Sequence, residues 1–355
     1  MLPPLINATQ LESGAKRIFI GAYGFEDRSL GWAKSQGQRD GILSAALMFR
    51  YRRPKGRNKV RQLRNLLSRL GVSKPTDVPF HALSPGNFER TIEDALGPLL
   101  LDADQVVLDI SALTKLLILV LLCKLDRFSG NLRIVYSEAE SYSPTLGEYE
   151  RSKKDMGIIA HFPSQGVESI IRTRCLSSIR MQGQPVTLVA FTSFNEQLVR
   201  SMLGTIAPHR LLLVNGHPPR PDFSWRERAT QEIHLRLIED YQTDNPIDER
   251  GLLSRVTSTL DYRQTFDCLD QIYRDIGAYE RLICAATGSK MQTVGLFFAK
   301  EAHPDIHIEY PTPDSYFARG MSEKVRTVHE LEVSSFSGFL RGLRARPAGD
   351  SGEHT

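Results

Sequence analysis

VVLDISALTKLLILVLLCKLDRFSGNLRIVYSEAESY, from Val106 to Tyr142, and LICAATGSKMQTVGLFFAKEAHPDIHIEYPTPDSY, from Leu282 to Tyr316, decide how this chain is organised. Aligned with one single-residue gap, they place Lys115 on Lys290, Thr114 on Ser289, Tyr136 on Tyr310, Glu140 on Asp314, Ser141 on Ser315 and Tyr142 on Tyr316. Retained pattern and spacing over so long a stretch mark an internal repeat. Upstream, RIFIGAYGFEDRSLGWA from Arg17 matches VTLVAFTSFNEQLVRSM from Val186 in layout: an apolar strand, a small polar turn carrying Phe25 or Phe194, then a helix start. The interval from the first strand to the lysine is similar in both halves, Arg17 to Lys115 and Val186 to Lys290.

Between these anchors the periodicity alternates. In the first half it predicts a strand over Ile42–Tyr51, a helix over Asn58–Leu70, a strand over Val78–Leu83 and a helix over Phe88–Leu100. In the second half Arg210–Val214, Trp225–Tyr241, Leu252–Val256 and Tyr262–Ile276 follow the same order. Strands alternating with helices imply parallel pairing with right-handed crossovers. The fold class is therefore α/β: two tandem Rossmann-like units with mainly parallel sheets, related by internal duplication. The expected boundaries are residues 1–163 for the first unit, 164–184 for a linker with a helix around Ile170–Ile179, 185–340 for the second unit and 341–355 for a small, polar, disordered tail. Asn215–Pro219 and Gln242–Asp248 read as surface loops.

The chain has 355 residues, long enough for two cores; with 41% hydrophobic and 24% charged residues its composition is that of a globular protein. Four scattered cysteines lack the close pairing of a zinc or redox motif, and nine histidines offer no metal constellation, so reduced thiols and no metal are expected. The start lacks a secretory pattern, and the most apolar run, Leu116–Cys123, is too short to span a bilayer, which predicts a cytoplasmic protein with no membrane partner. Net charge is only +4, but its distribution is uneven. No acidic residue occurs between Asp40 and Asp77, whereas Arg50, Arg52, Arg53, Lys55, Arg57 and Lys59 do. That block fits a nucleotide or nucleic-acid contact, and equally a solvated helix face or a docking surface for an acidic partner.

In open parallel sheets, ligands bind beyond the carboxyl ends of the strands, where loops meet helix N-termini. Thr287-Gly288-Ser289-Lys290 turns from an apolar strand into a helix and offers hydroxyls, a glycine and an ammonium to one spot, which fits a phosphate cradle. Ser111 to Lys115, with Thr114, is the counterpart in the first half. A helix cap with an exposed lysine is the plainer reading of either copy. In the first-strand turns, Gly24, Glu26, Asp27 and Arg28 could hold a ribose hydroxyl or a base edge, and Ser193 and Asn195 stand at the equivalent place without the arginine; a capped helix with surface charges fits them as well. Neither half contains a Walker A loop or a Gly-x-Gly-x-x-Gly fingerprint, which disfavours ATP hydrolysis and NAD redox chemistry; no cofactor is expected.

The Thr-Gly-Ser-Lys-Met run of Thr287–Met291, after a strand and in a unit with a ligand loop following its first strand, resembles CARF domains, the sensors of cyclic oligoadenylate signalling linked to CRISPR. That family commonly has Thr-Gly-Gly-Thr-Lys there. The resemblance carries to Thr287, Gly288, Ser289 and Lys290 and, in the first half, to Thr114 and Lys115, with Leu113 at the place of the glycine. It implies a nucleotide or cyclic-oligonucleotide sensor of a prokaryotic antiviral system, its two fused copies holding the ligand between them as CARF dimers do, with any effector a separate protein. No established catalytic motif identifies an enzyme. A hydrolase acting on NAD, a nucleotide or a cyclic oligonucleotide, using Glu26, Asp27, Glu140 or Asp314, remains an alternative, as does a scaffold docking nucleic acid or an effector through the basic block.

Overall fold

The computed structural model describes residues 1–51, 58–156, 164–242, 255–316 and 321–346. Two compact units are present. The first comprises Met1–Thr173 and Thr312–Phe336; the second comprises Arg174–Pro311 and the chain from Ser337. Each contains a mainly parallel sheet with connecting helices.

In the first unit the parallel strands are β1 (Arg17–Ala22), β2 (Ala45–Tyr51), β3 (Thr76–Phe80), β4 (Gln105–Asp109) and β5 (Asn131–Glu138). They lie in the order β3-β2-β1-β4-β5. The register sets Ile18 beside both Ala45 and Val106. All of β4 is buried, as expected of a central parallel strand covered on both faces. The helices are α1 (Gly31–Ser35), α2 (Val60–Arg69), α3 (Pro85–Leu100), α4 (Lys115–Lys124) and α5 (Leu146–Met156). Helix α4 is apolar on every side, and Leu116 through Leu122 are all buried, so it is held by core burial of about 1.5–3 kcal/mol per large side chain rather than by an amphipathic stripe. Helix α2 instead buries only Leu63 and Leu67, one turn apart, and leaves its arginines outward.

The second unit repeats this plan with β6 (Val186–Phe191), β7 (Arg210–His217), β8 (Val256–Ser258), β9 (Arg281–Ala285) and β10 (His307–Thr312). Their order is β8-β7-β6-β9-β10, and the pairings are parallel. The helices are α6 (Gln197–Ile206), α7 (Trp225–Gln242), α8 (Tyr262–Ile276), α9 (Lys290–Ala302) and α10 (Phe336–Arg344). Helix α8 turns Tyr262, Thr265, Phe266, Leu269 and Ile272 inward at a spacing of three to four residues.

Several sequence expectations are revised. Residues 312–336, assigned by contiguous boundaries to the second half, belong to the first unit, where β11 (Thr327–Val333) pairs antiparallel with β5. The pairing sets Thr327 opposite Glu138 and Val333 opposite Leu132. The strand Ile6–Asn7 then adds to the far side of β11. A linking helix around Ile170–Ile179 is not formed: Ser169–Ile171 is a short strand followed by turns. Asn215 to His217 are not a surface loop but the last residues of β7, with Asn215 buried. The tail expected from residue 341 begins as helix, because Leu340 and Leu343 of α10 find buried positions; residues 347–355, with Gln242–Asp248 beyond residue 242 and Leu252–Ser254, lie outside the described residues. Among the described residues no helix is long and apolar enough to cross a membrane.

Candidate functional site

In each unit the chain builds three strands outward to one side, then crosses back and continues on the other, so the strand order reverses between β1 and β4 and between β6 and β9. At such a reversal the loops leaving two neighbouring strands run in opposite directions and open a crevice at their carboxyl ends. Both motifs singled out from the sequence leave the sheet at that place: the Gly24–Arg28 and Ser193–Asn195 turns from β1 and β6, the Ser111–Lys115 and Thr287–Lys290 turns from β4 and β9.

The second-unit turn is tied down internally. The buried Thr287 hydroxyl donates to the Phe191 carbonyl at 2.6 Å and accepts from the Phe191 N–H at 3.0 Å, which closes the open end of β6. Gly288 is required by packing, since a Cβ there would lie 2.7 Å from the Cβ of Phe191 and 2.3 Å from Gln292 Oε1. Ser289 caps α9: its hydroxyl accepts from Gln292 N–H at 3.0 Å while Gln292 Oε1 accepts from Ser289 N–H at 2.7 Å. The Ser289 hydroxyl also donates to the Thr259 carbonyl at 2.7 Å, and Gln292 Nε2 donates to Thr257 Oγ1 at 3.0 Å, so the cap is fastened to the β8 exit. Lys290 follows as the first residue of α9, half-buried. On the neighbouring turn, Ser193 Oγ donates to the Asn195 carbonyl at 3.3 Å and the Asn195 side chain is buried.

In the first unit the turn is one residue longer, Ile110–Thr114 against Ala286–Ser289, and is held differently. The Asp109 carboxylate accepts from Ser111 N–H at 2.9 Å, and Ser111 Oγ accepts from Ser137 N–H at 2.8 Å. The Tyr51 hydroxyl, arriving from β2, donates to the Ala112 carbonyl at 3.0 Å and accepts from Thr114 N–H at 2.9 Å. Thr114 caps α4 by accepting from Leu117 N–H at 3.3 Å, and Lys115 is the first helical residue. Desolvation by burial pushes the Lys115 ammonium down to about 7. Gly24 meets this turn from the β1 side, where an added Cβ would lie 3.0 Å from the Cβ of Ala112 and 3.1 Å from that of Ser29.

The charged residues of the first-strand turn are engaged with the returning segment of the first unit. Arg28 binds Glu26 at 2.8 Å, donates from Nε to Ser322 Oγ at 3.0 Å, and lies over the Tyr136 and Tyr142 rings at 5.9 and 5.4 Å. Burial alone would lower its pKa; the Glu26 carboxylate, with Tyr136 and Tyr142, overcomes that and raises it. Ser322 also donates to Glu26. Asp27 pairs with Lys59 and accepts from Lys324 N–H at 3.1 Å; the Lys59 hydrogen bond, against some desolvation, holds its carboxyl below the usual range. Glu140 faces Lys324 at 3.4 Å and Glu138 faces His329 at 2.9 Å.

Of the basic block, Arg50 and Arg64 both pair with Asp77, at 2.7 and 2.5 Å, and Lys59 is the partner of Asp27; Arg52, Arg53, Lys55 and Arg57 lie outside the described residues. Among the described residues no group of three or more His, Cys, Asp or Glu side chains could hold a metal ion. Two features were not anticipated from sequence. Tyr51 and Gln292 brace the lysine turns, Gln292 being legible only as the fourth member of a Ser-x-x-Gln capping box. An arginine and aromatic cluster, Phe194, Phe223, Trp225 and Arg226, sits where β6 and β7 end.

No family model matches the chain, and no curated protein matches it. Among solved structures, a type III CRISPR defence DNA nuclease activated by cyclic oligoadenylate aligns with TM-score 0.46 and 12% identity over 87% of this chain and 68% of that one. UDP-GlcNAc 2-epimerase from Neisseria meningitidis bound to UDP-GlcNAc aligns with TM-score 0.25 and 10% identity over 76% of each chain. LpCGTa in complex with UDP aligns with TM-score 0.23 and 12% identity over 94% of this chain and 92% of that one.

Proposed function

We propose that the carboxyl edge of each unit binds the phosphate of a nucleotide-type ligand through its fourth-strand turn, Thr114–Lys115 in the first unit and Ser289–Lys290 in the second, and that the protein is a nucleotide sensor. One observation carries the reading. Both α4 and α9 begin with a lysine and have no acidic residue in the first turn. Helix N-termini carry a partial positive charge, and a lysine there adds a full one, so a turn that ends in a lysine at the first helical position fits a place where an anion is drawn in. A capping hydroxyl followed by a lysine at the same topological position in two units with the same order of parallel strands supports a retained function and an origin by duplication. The resemblance of Thr287–Lys290 to the CARF motif narrows the ligand to a cyclic oligonucleotide and the context to antiviral defence, with any effector a separate protein.

The test begins with mass spectrometry of small molecules that copurify with the protein, followed by calorimetric titration of the compound found. Removing the charge in Lys290→Ala or Lys115→Ala is expected to weaken binding by about 1.5–3 kcal/mol, the scale of a charged hydrogen bond, with folding intact. Unchanged affinity in both variants refutes the reading. The hydrolase alternative is weakened because Glu26, Asp27 and Glu140 are each held by a cation; chromatography of the ligand after incubation separates the two, since a sensor returns it intact.

A further inference from the structure

The exits of β6 and β7 hold a cluster for which phosphate binding has no use. The Arg226 guanidinium lies 4.6 Å from the Phe194 ring centre, 5.3 Å from Trp225 and 5.9 Å from Phe223. Phe194 and Trp225 pack against each other with ring centres 6.0 Å apart at 57°. Arg220 lies over Phe223 at 4.1 Å, its own charge matched by Asp222. Phe194 is buried, whereas Trp225, Phe223 and Arg226 are half-buried, at the rim rather than in the core.

The first unit differs at the corresponding edge. There Arg50 and Arg64 cover a single ring, Tyr23, at 5.4 and 5.7 Å, and both are bound by Asp77, which also accepts from the Tyr23 hydroxyl at 2.8 Å. There two guanidiniums share one ring and one carboxylate, whereas in the second unit three rings share one guanidinium.

We infer that the Phe194, Phe223, Trp225 and Arg226 cluster is a stacking platform for a nucleobase, making the second unit the one that recognises the base of the ligand whose phosphate its Lys290 turn holds. The inference rests on the proposed function. Planar π-systems and a guanidinium plane stack on any base, and most strongly on purines, which present the largest face. Placement agrees with this. Strands β7, β6 and β9 are consecutive neighbours, so their exits span about 10 Å, two strand spacings, and the base and phosphate of one nucleotide bridge a distance of that order.

Two probes that differ only in the base decide the matter: adenosine 5′-monophosphate and ribose 5-phosphate, titrated by calorimetry into the full-length protein. The chain has two tryptophans, Trp32 being fully buried in the first unit, so a Trp32→Phe background leaves Trp225 as the fluorescent reporter. Saturable quenching by adenosine monophosphate, with little from ribose 5-phosphate, is expected. Trp225→Ala and, as a variant that keeps the ring, Arg226→Met are expected to weaken adenosine monophosphate roughly tenfold and leave ribose 5-phosphate unchanged. Lys290→Ala should weaken both. If the platform variants bind adenosine monophosphate as the parent does while Lys290→Ala still weakens both probes, the platform is refuted and the phosphate reading stands. If Lys290→Ala changes neither, the second unit's phosphate site falls, and this inference with it, whereas the first unit's site is still judged by Lys115→Ala.

Discussion

In the first unit the crevice is narrowed by Gly24 of the first-strand turn, pressed against Ala112; in the second it is narrowed by Gly288 of the fourth-strand turn, pressed against Phe191. The close approach comes from different strands in the two units, whereas the lysine stands at the same place in both. Aligned by sequence, Leu113 in place of Gly288 looks like a damaged motif. In the structure the glycine answers to whichever neighbouring turn comes nearest, and the pairing of a hydroxyl cap with a lysine, Thr114–Lys115 and Ser289–Lys290, is what the two units share. Both hydroxyls serve as helix caps.

The largest expected asymmetry is in stability. Arg28→Ala strands the buried Glu26 carboxylate without its cation and should cost about 3–5 kcal/mol, read by urea denaturation of the first unit through Trp32 in a Trp225→Phe background. The aligned position in the second unit is Gln197, at the start of α6, and Gln197→Ala should cost less than about 1 kcal/mol. Comparable losses would mean that the two first-strand turns are braced alike after all. Next comes the glycine exchange. Gly288→Ala sets a methyl group against the Cβ of Phe191 and should cost about 1–3 kcal/mol, whereas Gly24→Ala needs its neighbours to give by only a few tenths of an ångström and should cost about 1 kcal/mol or less.

The last comparison concerns a proton. With its folded pKa lowered to about 7 against about 10.4 when unfolded, Lys115 binds fewer protons in the folded state. Its contribution therefore makes stability rise with pH from about 7 to 10 and leaves it lowest below 7. Lys115→Met should flatten that rise. An anion at the turn favours the ammonium, so binding at pH 8 should take up protons, seen as a dependence of the calorimetric heat on buffer ionisation enthalpy that Lys115→Met abolishes. No difference between buffers would show that the ligand does not meet Lys115.

Much of this was legible in the sequence because the signals are local. The strand, turn and helix succession around Lys115 and Lys290, and the helix Tyr262–Ile276, follow from periodicity and capping chemistry within a few residues. Thr327–Val333 was not read as a strand: its partner β5 lies far back in the chain, and only the half-alternating apolar residues Val328, Leu331 and Val333 hint at it. Glu26 and Arg28 looked like ligand groups for the same reason, since nothing in their neighbourhood announces Ser322, Tyr136 and Tyr142. Likewise Phe223-Ser224-Trp225-Arg226 is unremarkable until Phe194 is brought beneath it.

The chain passes from one unit to the other after Thr173, Pro311 and Phe336. On a ribosome the first unit would therefore emerge with the β5 side of its sheet still bare and with Arg28 lacking Ser322, and it would wait in that condition while the whole of the second sheet was synthesised. Only when Thr312–Phe336 cleared the exit tunnel could the N-terminal half close, so the part of the protein made first stays incomplete until the second sheet has been made.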